Sequence, residues 1–228
     1  MTSKQPIVRA ILLMAGSGMR TGSSTPKQFH FLQGKRVYMY ALETFLRVSF
    51  FSEIIIVCHP LWLDIVNRET EDFSIVRVVP GGSSRQHSSY LGLLACTGHT
   101  DYVVIHDAAR PFVTKDIVER NIQEVLMYQA VNTCIPSSDT IVHTKDGAFI
   151  DTIPLRREYW CGQTPQSFSY PLIRAAHEKA QDLEASDDCS LLKDNKIRVV
   201  IGNELNKKIT TELDLFLAEQ FLIKNVVI

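Results

Sequence analysis

Strand patterns alternate with helical patterns along almost the whole chain, and this alternation limits the possible folds more than any other feature. Runs of apolar and β-branched residues, each bounded by Gly, Pro, Asp or Ser, occupy 8–14, 53–60, 75–82, 101–108, 130–136 and 197–202. Segments with helical spacing occupy 37–49, 62–71, 84–97, 114–129, 169–181 and 211–223. Continuous apolar runs are typical of strands buried on both faces. We therefore predict an α/β fold with a mostly parallel sheet, helices on both faces and ligands at the carboxyl ends of the strands.

One segment interrupts the alternation. Within residues 137–160, the stretch "IVHTKDGAFI" (141–150) alternates apolar and polar residues around Asp146-Gly147. This pattern is typical of a β-hairpin. We predict a β-arm at about 137–160, inserted into a single domain that spans 1–228, because no repeat or low-complexity linker divides the chain.

Composition excludes several classes of protein. The 228 residues are 45% hydrophobic and carry a formal net charge of -1, so there is length for a sizeable core but no basic field for nucleic acid. The five cysteines form no CxxC pair, which favours a reducing compartment over a disulfide framework or a zinc site. No apolar run matches a signal peptide or a membrane span. We expect a cytoplasmic protein without nucleic-acid or membrane partners.

The loop after the first strand combines glycines with two cations. It reads "AGSGMRTGSSTPKQF" (15–29) and contains Arg20 and Lys27. The signal is weak alone, because no glycine stands three residues after Gly18 as a dinucleotide fingerprint requires, and the P-loop ending is missing. Glycines let the main chain approach an anion, which the cations neutralise. We interpret the loop as a polyphosphate site with main-chain contacts from Gly16 onwards; a tight turn with a solvated lysine is the alternative.

A second loop, "PGGSSRQHSSYLGL" (80–93), follows another strand and opens a helix at about Arg85. Serines at a helix N-terminus are most often caps, so Ser84 and Ser88 have that interpretation first. The same N-terminus can also bind a phosphate or the polar edge of a nucleotide.

The third loop, "VVIHDAARPF" (103–112), carries the most information. Four apolar or aromatic residues precede Asp107, which falls at the tip of a central strand beside the small Ala108 and Ala109. A carboxylate there, near two cationic loops, is placed to hold Mg²⁺ that bridges phosphate oxygens; a turn or cap role is the alternative. We expect His106 to pack or hydrogen-bond at the strand end without titrating in catalysis.

Seven motifs in order resemble one enzyme family. They are "AGSGMRTGSSTPKQF", "GGSSRQHSSYLGL", "HDAARPF", "SDTI", "RREYWCGQTPQSF", "SDD" and "NKKIT". Together they are similar to the 2-C-methyl-D-erythritol 4-phosphate cytidylyltransferase family, from Ile7 to about Ile223. The resemblance implies a Rossmann-like nucleotidyltransferase core, an arm exchanged between the subunits of a homodimer, and Mg²⁺ as cofactor. It also implies a reaction that joins CTP to a polyol phosphate and releases pyrophosphate.

The resemblance also implies residue roles by motif position. The residues implied in catalysis are Arg20, Lys27, Arg156 and Lys208. Those implied to bind CTP and its metal are Ala15, Gly16, Gly18, Gly82, Arg85, Ser88, Asp107 and Ala108, with Asp107 as the metal ligand. Those implied to bind the polyol phosphate are Asp107, Arg110, Thr140, Arg156 and Lys208.

Three alternatives remain at this point. A sister enzyme, ribitol-5-phosphate cytidylyltransferase, has the same fold and chemistry; "GQTPQSF" and "NKKITT" favour it, whereas "HDAARPF" and "GGSSRQHSSYLGL" favour the methylerythritol enzyme. A non-catalytic nucleotide-binding homologue is disfavoured because the cationic and acidic motif residues are all present. An NAD-dependent oxidoreductase is disfavoured by the missing glycine fingerprint.

Overall fold

The structure is a computed structural model that describes residues 5–16 and 25–226. Its strands are β1 (Val8–Met14), β2 (Phe31–Leu32), β3 (Lys35–Arg36), β4 (Phe51–Cys58), β5 (Val76–Pro80), β6 (Tyr102–Asp107), β7 (Ala130–Pro136), β8 (Trp160–Ser169) and β9 (Arg198–Ile201). Its helices are α1 (Val37–Leu46), α2 (Leu63–Thr70), α3 (Arg85–Ala95), α4 (Lys115–Tyr128), α5 (Tyr170–Lys179) and α6 (Glu212–Ile223). Each strand and helix predicted from the alternation is therefore present, within a few residues of its expected bounds.

The main sheet has seven strands in the order β5-β4-β1-β6-β8-β7-β9. Neighbouring strands run parallel except at β8, which is antiparallel to both β6 and β7. The predicted mostly parallel sheet is confirmed. The small hairpin of β2 and β3 forms a separate two-stranded sheet.

Strand β8 is the strand of the main sheet that the sequence patterns miss, and the short β2 and β3 are not predicted either. Its sequence, "WCGQTPQSFS", contains a glycine, a proline and two glutamines and no continuous apolar run. Residues 163–168 are nevertheless buried, because hydrogen bonds satisfy their polar groups. The Gln166 side chain, for example, accepts from the main-chain N–H of Asp188 at 3.0 Å.

The central strands are buried on both faces, as their apolar runs predict. On β1, Leu12 joins an apolar cluster with residues of α1 and α4. The neighbouring Ile11 and Leu13 join a second cluster with Leu93 of α3 and Ile173 of α5. Since successive side chains of a strand point to opposite faces, the helices cover both sides of the sheet.

The expected cap at Ser84 is present, and a second helix start is capped in the same way. The Ser84 hydroxyl accepts from the main-chain N–H of His87 at 3.0 Å and caps α3. The Thr114 hydroxyl accepts from the N–H of Ile117 at 3.3 Å and caps α4. Both caps follow the ends of strands, so they fix where the chain turns from the sheet into a helix.

The predicted arm reverses direction at the expected place but forms little sheet. The carboxylate of Asp146 accepts from the main-chain N–H groups of Ala148 and Phe149, at 2.9 and 3.1 Å, and Gly147 has a positive φ of 75°. The N–H of Ser137 donates to the Tyr159 carbonyl at 3.0 Å at the base of the arm, and farther out the two sides pair at one antiparallel bridge, His143 with Thr152. An isolated two-stranded hairpin is only marginally stable in water. This segment is largely exposed, and no third strand among the described residues pairs with it.

Membrane insertion through a helix has no support in residues 5–16 and 25–226. None of the helices there combines the length and the apolar character that crossing a bilayer requires.

Candidate active site

The sheet brings the loops singled out in the sequence to one edge. Leu13 on β1 is in register with Asp107 on β6, and the N–H of Ala108 donates to the Leu13 carbonyl at 3.0 Å. The glycine loop after β5 packs directly on the end of β1, since a Cβ added to Gly81 would lie 2.1 Å from the Cβ of Ala15. Glycine is needed at that position because of this close approach. The described parts of the loops after β1, β5 and β6 therefore form one surface.

Asp107 lies at the centre of this surface with a cation on each carboxylate oxygen. The Arg85 Nε donates to one oxygen at 3.0 Å, and the Lys208 Nζ donates to the other at 2.7 Å. Burial by itself would raise the pKa of Asp107, but the charges of Arg85 and Lys208 lower it below its ordinary value. The carboxylate is therefore ionised at neutral pH, at the strand tip where the sequence placed it.

Arg85 also binds a second buried carboxylate. Its Nη1 donates to Asp188 at 2.8 Å. The other Asp188 oxygen accepts from the Ser89 hydroxyl at 2.6 Å and contacts the His177 Nε2 at 3.0 Å. Burial opposes ionisation of Asp188, yet the Arg85 charge and the His177 hydrogen bond lower its pKa. One guanidinium thus holds β6, α3 and the segment before residue 189 together.

Sequence reasoning assigned no role to Asp188, although the motif "SDD" contains it. Asp188 and Arg85 are 103 positions apart in the chain. A pair of adjacent aspartates is a signal that could have directed attention there, but only the fold shows which of the two is fully buried and paired.

His106 is buried and neutral, and it connects Asp107 to Arg110. Its Nε2 lies 3.1 Å from the Arg110 carbonyl, which can only accept, so Nε2 carries the proton. Nδ1 then accepts from the Thr164 hydroxyl at 3.0 Å, and the Thr164 oxygen accepts from the Asp107 N–H at 3.0 Å. Burial lowers the pKa of His106 to about 4. As expected from the sequence, this histidine holds the strand end in place.

A cavity of about 270 Å³ opens beside the cluster. The charged residues of its wall are Arg85, Asp107, Arg110, Asp187 and Lys208. The Arg110 Nη1 donates to the main-chain carbonyl of Asn206 at 2.8 Å, while its buried Nε has no hydrogen-bond partner among the described residues. Burial lowers the pKa of Arg110, yet a guanidinium stays charged at any physiological pH. Arg110 therefore places a fixed positive charge at the cavity wall, which suits an anionic ligand.

The other nucleotide residues implied by the resemblance have mixed placements. Gly18 and Arg20 lie outside the described residues. Lys27 begins a short 3₁₀ turn, Lys27–Phe29, and is half-buried. The N–H of Gly82 donates to the Ser88 hydroxyl at 3.1 Å, and that hydroxyl donates to the Ser84 carbonyl at 2.8 Å, so Ser88 stabilises the turn. Ala15, Gly16 and Ala108 lie at the carboxyl edge.

The two arm residues lie apart from the cluster. Thr140 and Arg156 are exposed, and neither contributes to the wall of the cavity. The Arg156 Nη1 donates to the main-chain carbonyl of Ser138 at 3.0 Å, which keeps the guanidinium at the base of the arm. Within one chain, the structure thus brings together Arg85, Asp107, Arg110 and Lys208 and leaves the arm residues outside.

The donors present fit a magnesium site in which phosphates supply most of the ligands. No group of three or more Asp, Glu, His or Cys side chains is arranged to hold a metal within the described ranges. Mg²⁺ in nucleotide sites is commonly held by one or two carboxylates plus phosphate oxygens and water. The Asp107 oxygens each accept one hydrogen bond and retain further lone pairs, so this carboxylate can supply the protein ligand.

Sequence comparison finds close relatives along nearly the whole chain. A family model for 2-C-methyl-D-erythritol 4-phosphate cytidylyltransferase matches residues 8–224. A protein of that name from Clostridium botulinum (strain Loch Maree / Type A3) is 38% identical over 222 residues, covering 94% of this chain and 96% of the relative. Another of that name, from Desulforamulus reducens, is 34% identical and covers 93% of this chain and 94% of the relative.

Structural comparison gives the same result. The crystal structure of 4-diphosphocytidyl-2C-methyl-D-erythritol synthase from Anaerococcus prevotii DSM 20548 has a TM-score of 0.88, with 32% identity and 96% of each chain covered. The 2-C-methyl-D-erythritol 4-phosphate cytidylyltransferase of Thermus thermophilus has a TM-score of 0.75, with 29% identity, 93% of this chain and 97% of that chain covered.

The sheet order, the cationic cavity at the carboxyl edge and these structural likenesses define an α/β nucleotidyltransferase. The family model and the curated relatives narrow the class further. The chain belongs to the 2-C-methyl-D-erythritol 4-phosphate cytidylyltransferase family.

The neutral His106 predicts a specific dependence of stability on pH. Its pKa is about 4 in the fold and 6.5 ordinarily, so below pH 6.5 the unfolded chain binds a proton that the folded chain does not. The free energy of unfolding should therefore fall between pH 6.5 and 4, by up to about 3 kcal/mol from this group. The free energy of unfolding, measured with urea at several pH values, should fall less between pH 6.5 and 4 for His106→Gln than for the unchanged chain. An equal fall in both proteins would contradict the prediction.

Removing Arg85, the cation shared by Asp107 and Asp188, should lower the free energy of unfolding, and this effect should not add to that of Asp188→Asn. Arg85→Met leaves Asp107 and Asp188 buried without their common partner, which should lower the free energy of unfolding by about 3 kcal/mol or more. Adding Asp188→Asn removes one of the uncompensated charges and should recover part of the loss. Urea unfolding of the two single variants and the double variant measures this. A double variant whose loss of stability equals the sum of the two single losses would contradict the prediction. The matched control is Lys115→Met, which removes a cation from an exposed pair with Glu119.

Proposed function

We propose that this chain transfers the cytidylyl group of CTP to 2-C-methyl-D-erythritol 4-phosphate and releases pyrophosphate. The single observation that carries the proposal is the Asp107 carboxylate held between Arg85 and Lys208 at the carboxyl edge of the sheet, in a member of this family. The same edge is where open α/β sheets bind their ligands.

The reaction depends on neutralising negative charge more than on proton transfer. A phosphate-monoester oxygen attacks the α-phosphorus, the bond to the β-phosphate oxygen breaks, and its electron pair leaves with pyrophosphate. The attacking phosphate is mostly dianionic at pH 7, so no general base is needed. His106, the buried histidine at this edge, is neutral with both nitrogens engaged. The protein therefore acts by aligning two anions and neutralising their repulsion.

The residue roles follow from position and charge. Lys208 and Arg110, both at the cavity, are proposed to hold the polyol phosphate. Lys27, together with Arg20, is proposed to stabilise the triphosphate and the transition state. Arg85 is proposed to hold the Asp107 carboxylate in position, since its Nε and Nη1 already donate to the carboxylates of Asp107 and Asp188.

The nucleotide contacts and the metal are proposed from the same edge. Main-chain groups from Ala15 to Gly18, together with Gly82, Ser88 and Ala108, are proposed to surround CTP. Bound Mg²⁺ would supply positive charge to the phosphate oxygens during transfer, and Asp107 is the residue that would hold it.

A homodimer formed through the arm is proposed for the same reaction. The arm exposes large apolar side chains, with Phe149, Ile150 and Ile153 at 78%, 59% and 61% exposure. Exposed apolar side chains on one segment favour burial against another molecule. Thr140 and Arg156, which lie outside the cavity of their own chain, would then reach the acceptor phosphate bound by the second subunit. The free cysteines favour action in the cytoplasm.

The test is a pyrophosphate-release assay with a matched pair of lysines. With CTP and Mg²⁺, the chain should use 2-C-methyl-D-erythritol 4-phosphate in preference to ribitol 5-phosphate. Lys208→Met should lower kcat by about 100-fold, because a preorganised charge contact is lost. Lys207→Met, which removes a cation paired with Asp214 at 3.0 Å, should change kcat less than threefold or so.

Two outcomes would contradict the proposal. Faster turnover of ribitol 5-phosphate would transfer the assignment to the sister enzyme. CTP binding without pyrophosphate release from either acceptor would indicate a non-catalytic homologue.

A further inference from the structure

Gln28 joins the two ends of the glycine-rich loop. Its side-chain Nε2 donates to the main-chain carbonyl of Met14 at 2.8 Å and to that of Gly16 at 2.7 Å. The residue is buried, with 4% of its surface exposed. Met14 ends β1, and the chain returns to this strand at the turn Lys27–Phe29. One primary amide thus uses both of its N–H donors to fix the separation between the departing and the returning chain.

The residues around Gln28 hold the turn itself rigid. The Phe29 ring stacks on Trp62, with centroids 4.1 Å apart and planes 9° from parallel. The Arg36 Nη1 donates to the Phe29 carbonyl at 2.9 Å, and the His30 ring is 2.9 Å from the Thr25 carbonyl. Of these contacts, the amide of Gln28 is the one that reaches β1. Phe29 also belongs to the apolar cluster that contains Leu12 and Met14 of β1, so this packing and the hydrogen bonds of the Gln28 amide together place the turn against the sheet.

The attachment point on β1 is also tied to the acidic centre. Leu13, one residue before Met14, pairs with Asp107 across the sheet and accepts from the Ala108 N–H at 3.0 Å. A short path of hydrogen bonds therefore runs from the Lys27 turn, through Gln28 and β1, to the Asp107 strand tip. Lys27 and Asp107 are positioned by the same strand end.

We propose that Gln28 is a positioning residue that sets where Lys27 meets the triphosphate of CTP. The inference rests on the proposed cytidylyl transfer, and it adds a residue that acts only through its neighbour. Fixing the turn before the nucleotide arrives removes the cost of ordering it at each turnover. Gln28 does not contact the reacting atoms in this account.

The interpretation that competes with this one is purely structural. A buried glutamine that satisfies two carbonyl oxygens stabilises the fold whether or not the turn carries a functional lysine. The two interpretations differ in their readouts. A structural role changes the unfolding midpoint, whereas a positioning role also changes CTP affinity and turnover in protein that remains folded.

The first experiment removes the donors and keeps the size. Gln28→Met in the full chain should raise the Kd for CTP, measured calorimetrically with Mg²⁺ and no acceptor, about tenfold. It should also lower kcat in the pyrophosphate assay at least tenfold, because Lys27 is no longer held in place. Both measurements are made below the unfolding midpoint of the variant.

The matched control is another buried amide with two engaged donors. Asn121 on α4 donates to the Ile117 carbonyl at 2.9 Å and to the Thr133 hydroxyl at 2.8 Å. Thr133 lies on β7, which β6 and β8 separate from β1 in the sheet. Asn121→Leu should lower the unfolding midpoint while the Kd for CTP and kcat stay within about twofold of the unchanged chain.

A second variant keeps the proposal falsifiable if Gln28→Met does not fold. Gln28→Glu has the same shape, but its ionised carboxylate offers acceptors to two carbonyl oxygens and cannot donate. Its CTP affinity should recover as pH falls and the carboxyl gains a proton, since the acid can donate to one carbonyl. The unchanged chain should not show this pH profile.

The outcomes separate the inference from the proposed function. CTP affinity and kcat unchanged in Gln28→Met, or equal losses in Asn121→Leu, would overturn the positioning role. An unchanged chain that binds CTP but transfers to neither acceptor would overturn the proposed reaction, and the affinity comparison would still decide the role of Gln28. A chain that does not bind CTP would overturn both.

Discussion

The interaction on which the site depends is the sharing of one guanidinium by two buried carboxylates. Arg85 lies between Asp107 and Asp188, and a single cation cannot neutralise both. Lys208 completes the charge balance at Asp107, and hydrogen bonds from Ser89 and His177 stabilise Asp188. The cavity wall carries three cations, Arg85, Arg110 and Lys208, and two carboxylates, Asp107 and Asp187; Asp188, which Arg85 also binds, brings the cluster to three of each. The buried carboxylates can therefore stay ionised next to guanidinium and ammonium groups that are placed to bind an anion.

The sheet turns this local charge balance into a reaction site. Strands β1 and β6 end in register, so the loop bearing Lys27 and the tip bearing Asp107 leave the sheet at the same level. The surrounding loops are held by the Ser84 cap of α3, by the close approach of Gly81 to Ala15, and by the buried side chains of Gln28 and Arg85. The neutral His106 keeps the turn from Asp107 to Arg110 closed without adding a charge. Preorganisation of this kind is what phosphoryl transfer between two anions demands.

Hydrophobic periodicity predicts this fold well and the site only in part. It locates the central strands because they bury continuous apolar runs, and it misses β8 because that strand buries glutamines through hydrogen bonds. Loop composition finds Lys27 and Asp107, and the family resemblance adds Lys208. It does not find Asp188 or Gln28, since their partners are set by the packing of the elements and not by neighbouring residues. The hairpin signal locates the turn at Gly147. It does not predict how far the two sides pair, because the extent of pairing depends on which other strands or surfaces pack against the hairpin.

The most direct test of the account is a crystal structure of the chain with CTP and Mg²⁺ bound. The account predicts that the triphosphate lies at the carboxyl edge of the sheet, with phosphate oxygens in contact with Lys27 and metal in contact with Asp107. A triphosphate bound at another part of the surface, with the Arg85 and Lys208 contacts to Asp107 undisturbed, would contradict it.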